Sequence, residues 1–228
     1  MLNAEIQKII TDSRKDGWIV EPLAKQILKL SGIQVAPFEV ATHPEAAREQ
    51  ARKLGYPLAA KVVSPQIMHK SDAGGVVLGI KDEDQLGQVL DRFQNMEGFA
   101  GMHLETMAAG TELIVGAKKD YQFGPVVMLG IGGTGVEIYQ DVALRMAPIT
   151  AKDVESMLCT LTARDLLTGY RGAKAVNTKK LTALMLAFSE MAMALEPYFE
   201  SIDLNPVLCN PTDCVIADAR IVLSSESQ

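Results

Sequence analysis

GYPLAAKVVSPQIMHKSDAGGVVLGI, residues 55–80, is the stretch on which the fold turns. YPLAAKVV is an apolar run of strand length interrupted only by Lys61, and GVVLGI is a second strand-like run. Between them a polar segment carries His69, Lys70, Ser71 and Asp72 directly before Gly74-Gly75. An ammonium inside an apolar strand is costly unless an anion meets it. A bound phosphate would meet it; a lysine near the strand end that snorkels to water is the ordinary alternative. The glycine pair allows close backbone approach and positive φ, so that successive N–H groups face an anion. Alone it reads as a polar hairpin, and only with Lys61 does it point to phosphate.

Outward from this stretch the pattern alternates. Upstream, NAEIQKIITDSRKDG opens on Asn3 as N-cap with Ile6, Ile9 and Ile10 at helical spacing, and EPLAKQILKLSG repeats the pattern with Gly32 as stop. A short strand VAPFEVA, a helix opened by Pro44 and, downstream, a helix over EDQLGQVLDRFQN complete a strand–helix lobe. From residue 102, MHLETM, TELIVGAKK, PVVMLG and VEIYQDVALRMAPI are consecutive strand-like runs. Helices over 151–160 and 178–195 follow, then a strand pair, FESIDLNPVLC and DCVIADARIVL, joined by NPTD. The expected organisation is an N-terminal helix over 1–20, one lobe over 21–104 and a second α+β lobe over 105–228. Clean strand alternation is absent from the last eight residues, IVLSSESQ, whose tail is expected to be disordered.

The 228 residues suffice for one large domain or two lobes with a buried core. Lys and Arg number 22 against 28 Asp and Glu, a net charge of −6, which gives no cationic field for nucleic acid or anionic lipid. LTALMLAFSEMAMALEPYF is broken by Ser189, Glu190, Glu196 and Pro197 and reads as a buried helix rather than a bilayer span. Three cysteines and no leader pattern point to a reducing cytoplasm.

SIDLNPV alternates, with Ser201, Asp203 and Asn205 on one side. Asp218 follows in the apolar run VIADA on the next strand. A carboxylate and an amide oxygen on paired strands suit Mg²⁺, which takes oxygen ligands and keeps phosphate and water in its other positions; Asp203 is a third candidate, and turn-flanking polar residues are the plain alternative. GIGGTG (130–135) matches the dinucleotide fingerprint, but VEIYQDVALRMAPI reads as strand where a helix is required. No P-loop pattern occurs. Cys209 and Cys214 flank NPTD without a zinc ligand set and are expected as reduced neighbours across a hairpin. His43 and His103 read as structural; His69 stands apart because it lies in the glycine stretch.

Taken together, GYPLAAKVVSPQIMHKSDAGGVVLGI, ELIVGAKKDYQFGPVVMLGIGG, DVALRMAPIT, LLTGYRG and SIDLNPVL…VIADARI resemble, in order and over nearly the whole chain, an ATP-grasp module. More narrowly they resemble the β subunit of the NDP-forming acyl-CoA synthetases, relatives of succinyl-CoA synthetase. The resemblance implies two lobes clasping ATP or ADP. Lys61 would bind the phosphates, and Gly74-Gly75 would belong to a mobile loop over them. The strand of Glu105 to Met107 would meet the adenine edge through its backbone, Glu112 the ribose, and Asn205 and Asp218 would hold Mg²⁺ with Asp203 beside them. It also implies a phosphohistidine relay with a CoA-binding α subunit, in an α₂β₂ assembly, and a second histidine in the HKSD position. Here that is His69; apart from the resemblance, the residues beside it suggest that Lys70 would balance the incoming phosphoryl charge and that Asp72 could fix the ring tautomer.

The activity implied is acid + CoA + ATP ⇌ acyl-CoA + ADP + phosphate, with acetate as the default acid and substituted short acids such as sulfoacetate open. An ATP-grasp ligase that makes an acyl-phosphate without a partner and a nucleotide-sensing regulatory domain are the alternatives. Thr134-Gly135 and Ala163-Arg164-Asp165 depart from the common pattern but touch no nucleotide or metal position.

Overall fold

β3 (Leu58–Val63) is buried at all its positions, as expected of a strand covered on both faces. It lies in a four-stranded antiparallel sheet ordered β2 (Phe38–Ala41), β5 (Gly101–Thr106), β3, β4 (Val76–Ile80). Alternation divides its residues between two environments. Leu58, Ala60, Val62, Met102 and Leu104 pack with Ala47, Ala51, Leu86, Leu90 and Phe93 of α3 (Pro44–Leu54) and α4 (Glu83–Gln94). Lys61, His103 and Glu105 take the other parity. Both helices start where capping dictates: His43 Nδ1 accepts from Ala46 N at 3.2 Å ahead of Pro44, and Asp82 Oδ1 accepts from Gln85 N at 2.9 Å. The computed structural model describes residues 2–133, 141–170 and 174–225; this first compact unit comprises Val20–Pro22 and Ala36–Ala108.

The second unit comprises Met1–Ile19, Leu23–Val35 and Ala109–Gln228. Among the described residues it holds a seven-stranded sheet. The order is β1 (Trp18–Ile19), β11 (Arg220–Leu223), β9 (Phe199–Cys209), β6 (Thr111–Asp120), β7 (Gly124–Ile131), β8 (Val142–Met146), with β10 (Cys214–Ile216) also on β9. Along β9, Ile202, Leu204, Val207 and Cys209 are buried while Ser201, Asp203 and Asn205 are not. α5 (Ala151–Thr160) contacts β8, and α7 (Thr178–Leu195) contacts β7 and β10. α6 (Asp165–Thr168) is a single turn that begins at the last residue of the departure Ala163-Arg164-Asp165, with Arg164 as its N-cap.

Three expectations change. α1 (Ala4–Ser13) is no separate segment, because β1 just after it pairs with β11. The last expected strand is two strands, β10 and β11, separated by the three residues 217–219, which include Asp218, although the register on β9 is the same on both sides of them. Residues Ile221–Leu223, the expected end of that strand, are paired with β9. Cys209 and Cys214 stand directly opposite each other on β9 and β10, with Cα atoms 4.1 Å apart, and form a disulfide rather than two thiols. Hairpin register brings their sulfurs together, which spacing alone could not show. Thr134 and Gly135 of GIGGTG lie outside the described residues; Val142–Met146 beyond them is a strand paired with β7, in keeping with the rejection of a dinucleotide fingerprint.

Candidate active site

The first unit's sheet builds a buried ionic cluster by register. Lys61 stands directly opposite His103, and Glu105 opposite Ala59, so the parity of one strand pair brings an ammonium, an imidazole and a carboxylate together. Glu21, the first residue of α2 (Glu21–Leu30), completes it. Its Oε1 lies 2.7 Å from Lys61 Nζ and its Oε2 2.8 Å from Lys70 Nζ. Glu105 Oε1 is 3.7 Å from Lys61, and Glu105 Oε2 is 3.0 Å from His103 Nε2. His103 is fully buried and stacks on Phe38 with ring centroids 4.8 Å apart. Glu21, His103 and Glu105 bring ligand atoms within 4.8 Å of one another. The cation among them is the Lys61 ammonium, so the group is an ion-pair network. Removing water from these charges is offset only because each meets an opposite charge.

Lys70 points inward while its neighbour His69 is exposed. The turn between them and β4 is tied down: Lys70 O accepts from Gly75 N at 2.7 Å, Gly75 O accepts from Val62 N at 2.8 Å, and Gly74 O accepts from Arg92 Nη2 at 2.7 Å. The loop expected to be mobile therefore has its glycine end fixed to β3 and α4. Gly74 takes φ +70°, and a Cβ on Gly75 would stand 2.5 Å from Val62 Cγ1. Gly75→Ala is thus expected to destabilise the fold by about 1–3 kcal/mol through overpacking, read from urea unfolding; an unchanged midpoint would show that β3 and β4 separate freely. No hydrogen bond joins Asp72 to His69 among the described residues, so Asp72 does not orient the ring here.

β5 ends at Thr106, whose N–H donates to Pro37 O at 3.1 Å, leaving Met107, 42% exposed, as the first residue beyond the ladder. Glu105 itself sits in the lysine cluster.

In the second unit Glu112 is exposed at the start of β6, and its carbonyl accepts from Gly132 N at 2.7 Å. A Cβ on Gly132 would stand 2.8 Å from the Glu112 carbonyl carbon. Part of the GIGG stretch therefore serves as a close-packing platform for the Glu112 backbone.

Asp203 and Arg220 are cross-strand partners, with Arg220 Nη2 3.4 Å from Asp203 Oδ2. Both line a groove of about 560 Å³ floored by Gly116 and Met128. Asn205 lies two residues on. Asp218 falls between Ala217, whose N–H donates to Pro206 O at 3.0 Å, and Arg220 opposite Asp203, so the register sets it alongside Asn205. The Asp218 carboxylate and Asn205 amide oxygen are the hard donors Mg²⁺ takes, and they fit it. Asp203 fits less well, because it is engaged by a guanidinium.

Burial pushes the Asp203 carboxyl up, with Arg220 opposing. A carboxyl whose proton is held more tightly in the folded state carries no penalty below the ordinary aspartate pKa of about 3.9. The penalty develops as pH rises through the folded value and is full above it. Asp203→Asn is therefore expected to raise the Tm at neutral pH, with the gain vanishing below that ordinary pKa; a gain independent of pH would show that ionisation is not its cause.

Residues 11–223 match the ATP-grasp domain. The chain is 39% identical over 229 residues to the acetate–CoA ligase [ADP-forming] I subunit beta of Pyrococcus furiosus, covering 96% of this chain and 98% of that one. It belongs to the ATP-grasp family of ADP-forming acid–CoA ligase β subunits. A second ATP-grasp relative, acetate–CoA ligase [ADP-forming] I of Archaeoglobus fulgidus, is 37% identical over 92% of this chain, which corresponds to only 32% of that longer polypeptide. Among solved structures, the dinucleotide-forming acetyl-coenzyme A synthetase 1 of Ca. Korarchaeum cryptofilum superposes with a TM-score of 0.85 at 32% identity, covering 96% of this chain and all of that one. That structure contains coenzyme A and Mg-AMPPCP, with a phosphohistidine segment pointing towards the nucleotide-binding site.

Sequence reasoning missed Glu21 and assigned His103 only a structural part. An acidic residue in a first helical turn is what the helix dipole favours anywhere, so Glu21 carried no separate signal.

Proposed function

We propose that this chain is the nucleotide-binding β subunit of an ADP-forming acid–CoA ligase, acting with a CoA-binding α subunit in an α₂β₂ assembly. The observation that carries the proposal is the pair of lysine ammoniums on the two oxygens of one buried carboxylate, immediately beside an exposed histidine. Lys61 and Lys70 together supply positive charge for the triphosphate. The positioned turn holds His69 at its edge.

Phosphoryl transfer asks for placement and charge neutralisation more than for covalent chemistry by the protein. A ring nitrogen of His69 attacks the γ-phosphorus. The N–P bond forms as the bond to the β,γ-bridging oxygen breaks, and ADP leaves with that electron pair. The phosphoryl group then passes to the histidine of the α subunit, where the acid and CoA react. Met107 and the chain beyond β5 offer backbone to the base, Glu112 binds the ribose, and Gly74-Gly75 cover the phosphates. Asn205 and Asp218 hold Mg²⁺, with Asp203 nearby. When bound, the ion neutralises phosphate charge and fixes in-line geometry. The relatives' names support acetate as the acid. Among the described residues no helix is long and apolar enough to cross a membrane.

The test is reconstitution. The purified chain with ATP, Mg²⁺, CoA and acetate is expected to form no acetyl-CoA alone, and to form acetyl-CoA and ADP in equal amounts once the CoA-binding subunit is added. ADP and acetyl-phosphate released by the chain alone would identify a partner-independent ligase. Nucleotide binding without turnover in either mixture would identify a sensor domain.

A further inference from the structure

Lys25 is one of the large side chains that are fully buried, on a helical face otherwise lined by Ala24, Ile27 and Leu28. An ammonium at such a place is costly and is retained only where it has a polar group to hold. Its Nζ donates to the carbonyl oxygen of Ala217 at 2.7 Å. Ala217 is the first of the three residues between β10 and β11, and the next residue is Asp218. Ala217 N–H donates to Pro206 O at 3.0 Å, Ala217 O accepts from Lys25, and Asp218 Oδ1 accepts from Ala219 N at 2.8 Å. Pro206 directly follows Asn205. These bonds therefore fix the backbone beside the two proposed metal ligands, and the Lys25 bond comes from α2, outside the strands.

We infer that Lys25 is a positioning residue for the metal site: its ammonium fixes the Ala217 carbonyl and so the direction in which Asp218 presents its carboxylate. This rests on the proposed role of Asp218 as a metal ligand. A straight, uninterrupted strand through 214–223 would alternate its side chains by sheet parity alone. The register is the same on both sides of 217–219, so parity sets Asp218 opposite Asn205, but these residues lie outside the paired strands and the Lys25 bond holds the carbonyl just before Asp218. The lysine stem spans the apolar helix face, and its three-donor head suits a single carbonyl better than a planar guanidinium fork would. Groups that orient ligating residues typically change metal affinity by about 10–100-fold when removed.

The test uses the full chain with ADP and Mn²⁺ as the probe, following free Mn²⁺ by electron paramagnetic resonance and metal-free ADP binding by calorimetry. Lys25→Met, which keeps the stem and removes the charge, is expected to weaken Mn²⁺ binding in the ADP complex by roughly tenfold or more. Metal-free ADP affinity should stay within about twofold, since the phosphate lysines are untouched. Asp218→Asn should weaken Mn²⁺ as well, and the two changes together should cost less than their sum. Normal Mn²⁺ binding by Lys25→Met beside a weakened Asp218→Asn overturns the inference. Normal binding by Asp218→Asn overturns the metal assignment beneath it. Equal losses of metal-free ADP and Mn²⁺ binding in Lys25→Met would make Lys25 merely structural and also overturn the inference. Should Lys25→Met fail to fold, Lys25→Arg keeps the charge but misplaces the donor; a several-fold loss of Mn²⁺ affinity is expected, and an unchanged affinity overturns the proposal.

Discussion

His69→Ala is expected to take up no acid-labile, alkali-stable phosphoryl label from γ-labelled ATP and to slow the complete two-subunit reaction by roughly a thousandfold or more. The argument is one of geometry. His69 is the exposed member of a turn whose next residue is drawn inward by Glu21 and whose glycine end is bonded to β3 and α4. Its imidazole is thus displayed on a fixed backbone, and a neutral imidazole is a competent nucleophile near neutral pH. Because the ring is exposed and carries no hydrogen bond to Asp72, its removal should leave folding and ADP affinity close to wild type. The decisive comparison is label retained after alkali in wild type and variant at matched ADP binding. Equal label in both would place the phosphoryl carrier elsewhere and reduce His69 to a surface residue.

Lys61→Met is expected to be the most destabilising of the substitutions considered, by about 3–5 kcal/mol, because it leaves the Glu21 and Glu105 carboxylates buried with one ammonium fewer. ATP affinity should fall with it. The effect should be strongly coupled. In Glu21→Gln/Lys61→Met the uncompensated charge is largely gone, so the double variant should unfold at higher urea than Lys61→Met alone. A single variant as stable as wild type would mean that water or a rearranged Lys70 compensates the carboxylates, and the cluster would then be no constraint on the sheet.

Much of the fold was legible because its elements announce themselves in period and punctuation. Lys61 in an otherwise apolar strand, the Gly74-Gly75 turn and the alternation of Ser201, Asp203 and Asn205 are local signals, and each lies on the element expected. The division of the chain was less legible. Residues 1–20 look like a free-standing helix until the short Trp18–Ile19 strand is seen to pair with Val222 and Ile221, at the opposite end of the chain. Two hundred residues of separation leave no trace in periodicity. The same holds for Cys209 and Cys214, whose pairing depends on which residues the hairpin register sets opposite each other.

The sequence by itself determined that two strands flank a histidine- and lysine-bearing glycine turn, that oxygen donors gather on a late strand pair, and that the chain resembles an ATP-grasp β subunit. Those properties reside in residue type and short spacing, which local sterics and hydrophobic alternation convert directly into structure. Only the tertiary structure decided that Glu21 bridges Lys61 and Lys70, that His103 joins them, that Asp218 falls between two strands rather than inside one, and that Lys25 holds the carbonyl before it. A charged side chain looks alike in sequence whether it faces water or a partner. Which of the two it meets is set by burial and by contacts between residues far apart in the chain, and in this protein those contacts make the candidate site.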